Sequence, residues 1–165
     1  MAETPQRPAG PPVPRGTAFL LAQVGARAAE RFAERVGELG VRPADVGLLR
    51  LIGTRAGLSQ RDLAETLGVV PSRVVALVDR LDGLGLVERH RSARDRRHHE
   101  LRLSARGEEL LGRVGTVAAA HEDALLEPLT PEQRETLGRL LGALAAAEGL
   151  TPGVHPGYRG GGGRE

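Results

Sequence analysis

The chain of 165 residues contains no cysteine, no tryptophan and no lysine, so all 23 of its basic lysine-or-arginine positions are arginine. Without cysteine there is no disulfide, no thiolate metal site, no cysteine nucleophile and no thiol redox sensor. Without lysine there is no phosphate-binding glycine loop of the kind that ends in lysine, and the motifs G-x-S-x-G and H-E-x-x-H are also absent. These absences weigh against an enzyme, and we expect no catalytic site, no metal and no cofactor.

Long apolar runs are also missing from the sequence. No stretch approaches the roughly 20 apolar residues that cross a bilayer. Ala18–Ala22 is too short for the apolar centre of a secretory signal. We therefore expect a cytoplasmic protein that makes no contact with a membrane.

Positive charge is concentrated in one short segment, Leu86–Arg106. It holds seven arginines and three acids, a balance of 7 − 3 = +4, whereas the other residues sum to 16 − 18 = −2. Two extended runs, Leu86–His90 and His99–Leu103, are joined there by an arginine-rich turn, which predicts a β-hairpin with a basic tip. Such a tip suits DNA phosphates and the electronegative minor groove, although a solvated basic hairpin would show the same pattern.

Two short helices are predicted directly before this hairpin. Ser59 and Asp62 form a capping-box pattern that starts the first helix, Gly68 ends it, and Pro71 suits the first position of the second. One stripe of the second helix is apolar at helical spacing: Val74, Leu77, Val78 and Leu81. The residues that must then point outwards are Ser72, Arg73, Val75, Ala76, Asp79 and Arg80. If the pair is a helix-turn-helix, the outward set contains the base-reading residues, and otherwise it is an ordinary solvated surface.

The sequence predicts a mostly α protein in which a winged helix-turn-helix lobe is flanked by long helices. The lobe is expected at about 44–106 within one folded domain at 17–149. Proline-rich and glycine-rich ends at 1–16 and 150–165 have the composition of disordered tails. The long helices are expected at about 17–39, 104–127 and 131–148.

The long helices carry more apolar surface than a lobe of this size can cover. Packing against a second copy of the chain is the simplest use for that surface, with an intramolecular helical bundle as the alternative. The histidines add no metal site, because His98 and His99 are adjacent on a predicted strand and point to opposite faces.

The run LSQRDLAETLGVVPSRVVALVDRLDGLGLVERHRSARDRRHHELRLSARGEELL resembles the multiple-antibiotic-resistance regulator (MarR) family of bacterial winged-helix transcription factors. The resemblance covers about residues 17–149 and implies a homodimer that binds a pseudo-palindromic operator in double-stranded DNA, most often as a repressor. It also implies release by a small aromatic or amphipathic effector, for which the sequence identifies no binding residues.

The resemblance assigns DNA contacts to individual residues. On the recognition helix these are Ser72, Arg73, Val75, Ala76 and Arg80. On the wing, Arg97 enters the minor groove with Asp95 orienting it, and Arg94 and Arg96 contact phosphate or the minor groove. Members of the family often carry a polar residue and an arginine where this chain has Val75 and Ala76, so the operator of a relative does not transfer to this chain. A winged helix used for protein interaction without DNA is the other reading of these residues.

Overall fold

The computed structural model describes residues 16–55, 57–91 and 99–150 of the chain. They form six α-helices and one antiparallel pair of strands, which confirms the predicted mostly α fold with a small wing. In chain order the elements are α1 (Thr17–Gly37), α2 (Pro43–Thr54), α3 (Gln60–Leu67), α4 (Pro71–Gly83), β1 (Val87–Arg91), β2 (His99–Leu103), α5 (Ala105–Leu126) and α6 (Pro131–Ala147).

The helices begin where the sequence supplies caps. At α3 the Ser59 hydroxyl accepts a hydrogen bond from the Asp62 amide at 3.2 Å, and the Asp62 carboxylate accepts from the Ser59 amide at 2.8 Å. Thr130 and Gln133 form the same reciprocal pair at α6. These bonds satisfy amides that have no partner within the helix, so they fix where each helix starts.

The core of the molecule lies where α2, α3, α4, the strands and α5 meet. Its buried side chains come from α2, α3, α4 and both strands and form one cluster, so the helix-turn-helix and the wing are one packed unit. The largest of them are Leu48, Leu49, Leu63, Leu67, Leu81 and Leu101. Strand β2 is held from a second side as well, because the Leu101 amide donates to the Leu58 carbonyl at 2.8 Å.

The wing and α5 are joined by a close backbone contact. The Ser104 hydroxyl donates to the Gly85 carbonyl at 2.6 Å and accepts from the Gly107 amide at 3.0 Å. Gly107 lies so close to the Leu86 carbonyl that a β-carbon at this position would overlap it. The entry to the wing and the start of α5 therefore have a fixed relative position.

Helices α1 and α6 carry large apolar side chains that are exposed to solvent in the single chain. None of the residues of α6 is buried within the chain, and the first half of α1 is exposed in the same way. The exposed large apolar residues of the two helices are Phe19, Leu20, Leu21, Val24, Leu140, Leu141 and Leu144. Over the part of the chain that the structure describes, no helix combines the length and hydropathy needed to cross a membrane.

Candidate nucleic-acid interface

Helices α3 and α4 are joined by a tight turn. Gly68 has a φ of 63°, a left-handed conformation that glycine adopts without strain, and it ends α3. Val69 then packs against the core while Val70 is 64% exposed. Pro71 opens α4 at once, and Pro71 and Ser72 in its first turn are exposed.

The exposed N-terminal side of α4 contains four of the predicted base-reading residues, and we call this set the reading face: Ser72, Arg73, Val75 and Ala76. Ser72 and Ala76 are four positions apart on the exposed side. Val75 is 41% exposed, and Arg73 is half-buried at the edge of the apolar stripe. Val74, Val78 and Leu81 are fully buried beneath them. The structure thus separates the outward and inward sets of α4 as the periodicity predicts.

Arg80 differs from the other outward residues. Its Nε donates to the carboxylate of Asp45 at 3.2 Å, across 35 positions of sequence, and Asp45 is completely buried. Arg42 binds the same carboxylate through its guanidinium at 3.2 Å and its amide at 2.9 Å. Arg80 remains exposed, with 38% of its side chain accessible, as the outward pattern of α4 predicts, and its Nε also ties α4 to the start of α2.

The two arginines also keep the buried Asp45 carboxyl group ionised, because they lower its pKa. Burial by itself raises the pKa of a carboxyl group, but the hydrogen bonds from Arg42 and Arg80 more than offset it, and the pKa lies below its ordinary value. Part of this network has a local pattern, because Asp45 lies three positions after Arg42, the residue that caps a helix beginning with Pro43. Nothing local indicates the distant partner Arg80.

Arg89 connects the wing to α4. This arginine of β1 forms ion pairs with Asp79 and with Asp82, both on α4, and only 29% of its side chain is exposed. The two acids therefore do not face DNA as free negative charges. The apolar spacing of α4 predicts Asp79 on the outward surface, but no pattern in the sequence indicates its ion pair with Arg89.

The strands of the wing pair from Val87 with Leu103 to Arg91 with His99. The four predicted wing contacts, Arg94, Asp95, Arg96 and Arg97, fall at 92–98 and lie outside the described residues. The strand residues Arg91 and Arg102 are exposed, so the wing adds positive side chains beyond the reading face. No group of histidines or acids suited to a metal ion occurs among residues 16–55, 57–91 and 99–150.

A separate aromatic contact joins α1 and α5. The rings of Phe32 and His121 lie with their centroids 5.6 Å apart at an angle of 51°. Burial, followed by the charges of Arg35 and Arg31, lowers the pKa of His121 from its ordinary value, and Glu122 opposes the shift. Each of these effects except that of Glu122 favours a neutral imidazole at this helix crossing.

The MarR family model matches residues 39–98. A protein of Thauera aromatica assigned to transcriptional regulation of the hcr operon is 33% identical over 113 residues, which cover 68% of each chain. The transcriptional repressor CouR, solved on a 23-mer DNA duplex, is 35% identical with a TM-score of 0.69 over 78% of this chain and 92% of that one. The Mycobacterium tuberculosis MarR family protein Rv2887, solved with p-aminosalicylic acid, is 28% identical with a TM-score of 0.63 over 79% and 98% of the two chains.

Proposed function

This chain belongs to the MarR family of winged-helix transcriptional regulators, and we propose that it is a repressor that binds a pseudo-palindromic operator as a homodimer. The observation that carries the proposal is the reading face: Ser72, Val75 and Ala76 are exposed and Arg73 is half-buried at the start of α4, next along the chain to a wing with exposed arginines. In a helix-turn-helix the N-terminal residues of the second helix contact base edges in the major groove.

The wing and α4 have different parts in this proposal. Arg94, Arg96 and Arg97 supply contacts to phosphates and the minor groove in this proposal, and Asp95 orients Arg97. The reading face supplies sequence choice, because base edges and not phosphates carry sequence information. The repressor CouR, solved on a 23-mer duplex, supports DNA binding by this chain.

The exposed faces of α1 and α6 support the homodimer. A solvent-exposed set of seven large apolar side chains on two helices is unusual for a monomer. A second copy of the chain would cover both faces around a two-fold axis. The helices at about 17–39, 104–127 and 131–148 are then the dimerisation part, and the lobe at about 44–106 is the DNA-binding part.

We further propose that a small aromatic acid releases the repressor from DNA. Rv2887 with p-aminosalicylic acid supports this class of effector. A ligand can weaken DNA binding only if it binds the DNA-free arrangement of the two lobes more tightly than the bound one. In this proposal the protein acts by binding DNA and catalyses no reaction. As a regulator of transcription, it works in the cytoplasm, where the chromosome is.

The experiment is a titration of a fluorescent DNA duplex with the full chain at several salt concentrations. If the dimer neutralises about six to ten phosphates, the affinity falls by roughly 10³ to 10⁵ between about 50 and 200 mM salt. Arg73→Ala on the reading face weakens binding, whereas Arg50→Ala, at an exposed arginine of α2 outside the reading face, the wing and the dimerisation helices, leaves it unchanged. Affinity that does not respond to salt, or equal effects of the two variants, would contradict the proposal.

A further inference from the structure

The reading face offers an unusual set of chemical groups. It has one guanidinium, one hydroxyl and two apolar side chains, and no residue from 72 to 80 is asparagine or glutamine. Asp79 is the acid nearest to this face, and it is engaged by Arg89. Arg80, two turns further along, has its Nε bonded to Asp45. In the N-terminal part of α4, the hydrogen-bonding capacity toward bases is therefore limited to Arg73 and Ser72.

This limitation decides which bases α4 can distinguish. Arginine pairs in bidentate fashion with O6 and N7 of guanine, whereas adenine is read by the amide side chains that this segment lacks. An acidic side chain would accept a bond from N4 of cytosine, and the Asp79 carboxylate is bonded elsewhere. The remaining major-groove feature that identifies an A·T pair is the C5-methyl group of thymine, which is recognised by apolar contact.

The shape of the reading face fits that contact. Ser72 and Ala76 have short side chains on the exposed side of the helix, so the backbone of α4 can approach the base edges closely. Val75 follows the buried Val74, yet it is 41% exposed. Val75 and its neighbour Ala76 thus offer two adjacent exposed apolar side chains.

We infer that this chain recognises A·T pairs of its operator through thymine methyl groups that pack on Val75 and Ala76, with Arg73 recognising a neighbouring guanine. The inference rests on the proposed function and adds the base chemistry of the same surface. It makes the apolar pair Val75 and Ala76 a determinant of specificity.

The test replaces thymines by deoxyuridine, one position at a time, in a duplex enriched from random DNA by the full chain. Deoxyuridine keeps the base pair and removes only the methyl group. Burial of one such carbon contributes about 0.8 kcal/mol. Each half-site should therefore contain one thymine whose replacement, in that half-site alone, weakens binding about fourfold. Replacement in both half-sites should weaken binding about sixteenfold, if the two contacts are independent.

Variants locate the contact on the protein. In Val75→Ala the deoxyuridine penalty should fall below about twofold, because the apolar partner of the methyl group is reduced. Val70→Ala also truncates an exposed valine, but five positions earlier and at the cap of α4, and it should keep the fourfold penalty. Circular dichroism of each variant checks that α4 is intact.

The outcomes separate this inference from the proposed function. An enriched duplex whose thymines all tolerate deoxyuridine, or a penalty that persists in Val75→Ala, would overturn the methyl contact and leave the regulator standing. Failure to enrich any duplex would overturn both.

Discussion

Arg89 on strand β1 forms ion pairs with Asp79 on α4, and the same guanidinium also binds Asp82 one turn further along that helix. The wing and the helix that reads bases are thereby joined by side chains as well as by the chain itself. The two pairs also neutralise two carboxylates that would lie near DNA phosphates. Arg89 is thus a positioning residue for the interface, although it is a positive charge in a basic segment.

The first prediction concerns this arginine. Arg89→Met should weaken operator binding by about tenfold, since coupled charge networks are typically worth 0.5–3 kcal/mol. The loss arises because Asp79 and Asp82 become free negative charges and the wing loses its link to α4. A fluorescence anisotropy titration measures the change in affinity.

A triple variant distinguishes positioning from direct contact with phosphate. Asp79→Asn and Asp82→Asn in the Arg89→Met background should restore much of the affinity, and the salt dependence should keep its wild-type slope. A slope reduced by about two, one for each protomer of the dimer, without rescue, would show instead that Arg89 contacts a phosphate.

The second prediction concerns the contact between α5 and the wing. Gly107→Ala should lower the free energy of unfolding by about 1–3 kcal/mol, because its β-carbon would overlap the Leu86 carbonyl oxygen. Gly112→Ala is the matched control on the same helix, where a β-carbon meets nothing within 4 Å. Its expected effect is a gain of about 0.5–1 kcal/mol from helix propensity. Urea unfolding at one fixed protein concentration measures both, and equal effects would refute the packing argument.

The third prediction concerns pH and His121. Because its pKa is lowered in the folded chain, the unfolded chain takes up the proton first as the pH falls through the ordinary value of 6.5. The free energy of unfolding should therefore decrease from that pH downward, until the folded pKa is reached. Urea midpoints from about pH 7.5 to about pH 5.5 should fall less in His121→Gln than in the natural chain.

One result would contradict this prediction. It is a His121→Gln chain whose urea midpoints fall between about pH 7.5 and about pH 5.5 as far as those of the natural chain.

The local features of the fold could be predicted from the sequence, and the long-range ones could not. Caps such as Ser59 with Asp62 and Thr130 with Gln133 lie three residues apart, so they appear as a pattern in the sequence. The spacing of Val74, Val78 and Leu81 likewise identified the buried side of α4.

The ion pairs that organise the interface are of a different kind. Arg80 reaches Asp45 across 35 positions, and Arg89 reaches Asp79 across ten. In a chain with 23 basic and 21 acidic residues, sequence patterns do not select one partner among so many. Only the packing of β1 and α2 around α4 decides which charges meet, so the pairing of Arg80 with Asp45 could not be predicted.

The most direct test of the account is selection of duplexes from random DNA by the full chain, read by sequencing. A two-fold symmetric reader should enrich a pseudo-palindrome whose half-sites lie about one helical turn, or about 10 base pairs, apart. Enrichment of that pattern is the result we predict. An absence of any enriched sequence, or an enriched site without a second half-site, would contradict the proposed dimeric operator-binding regulator.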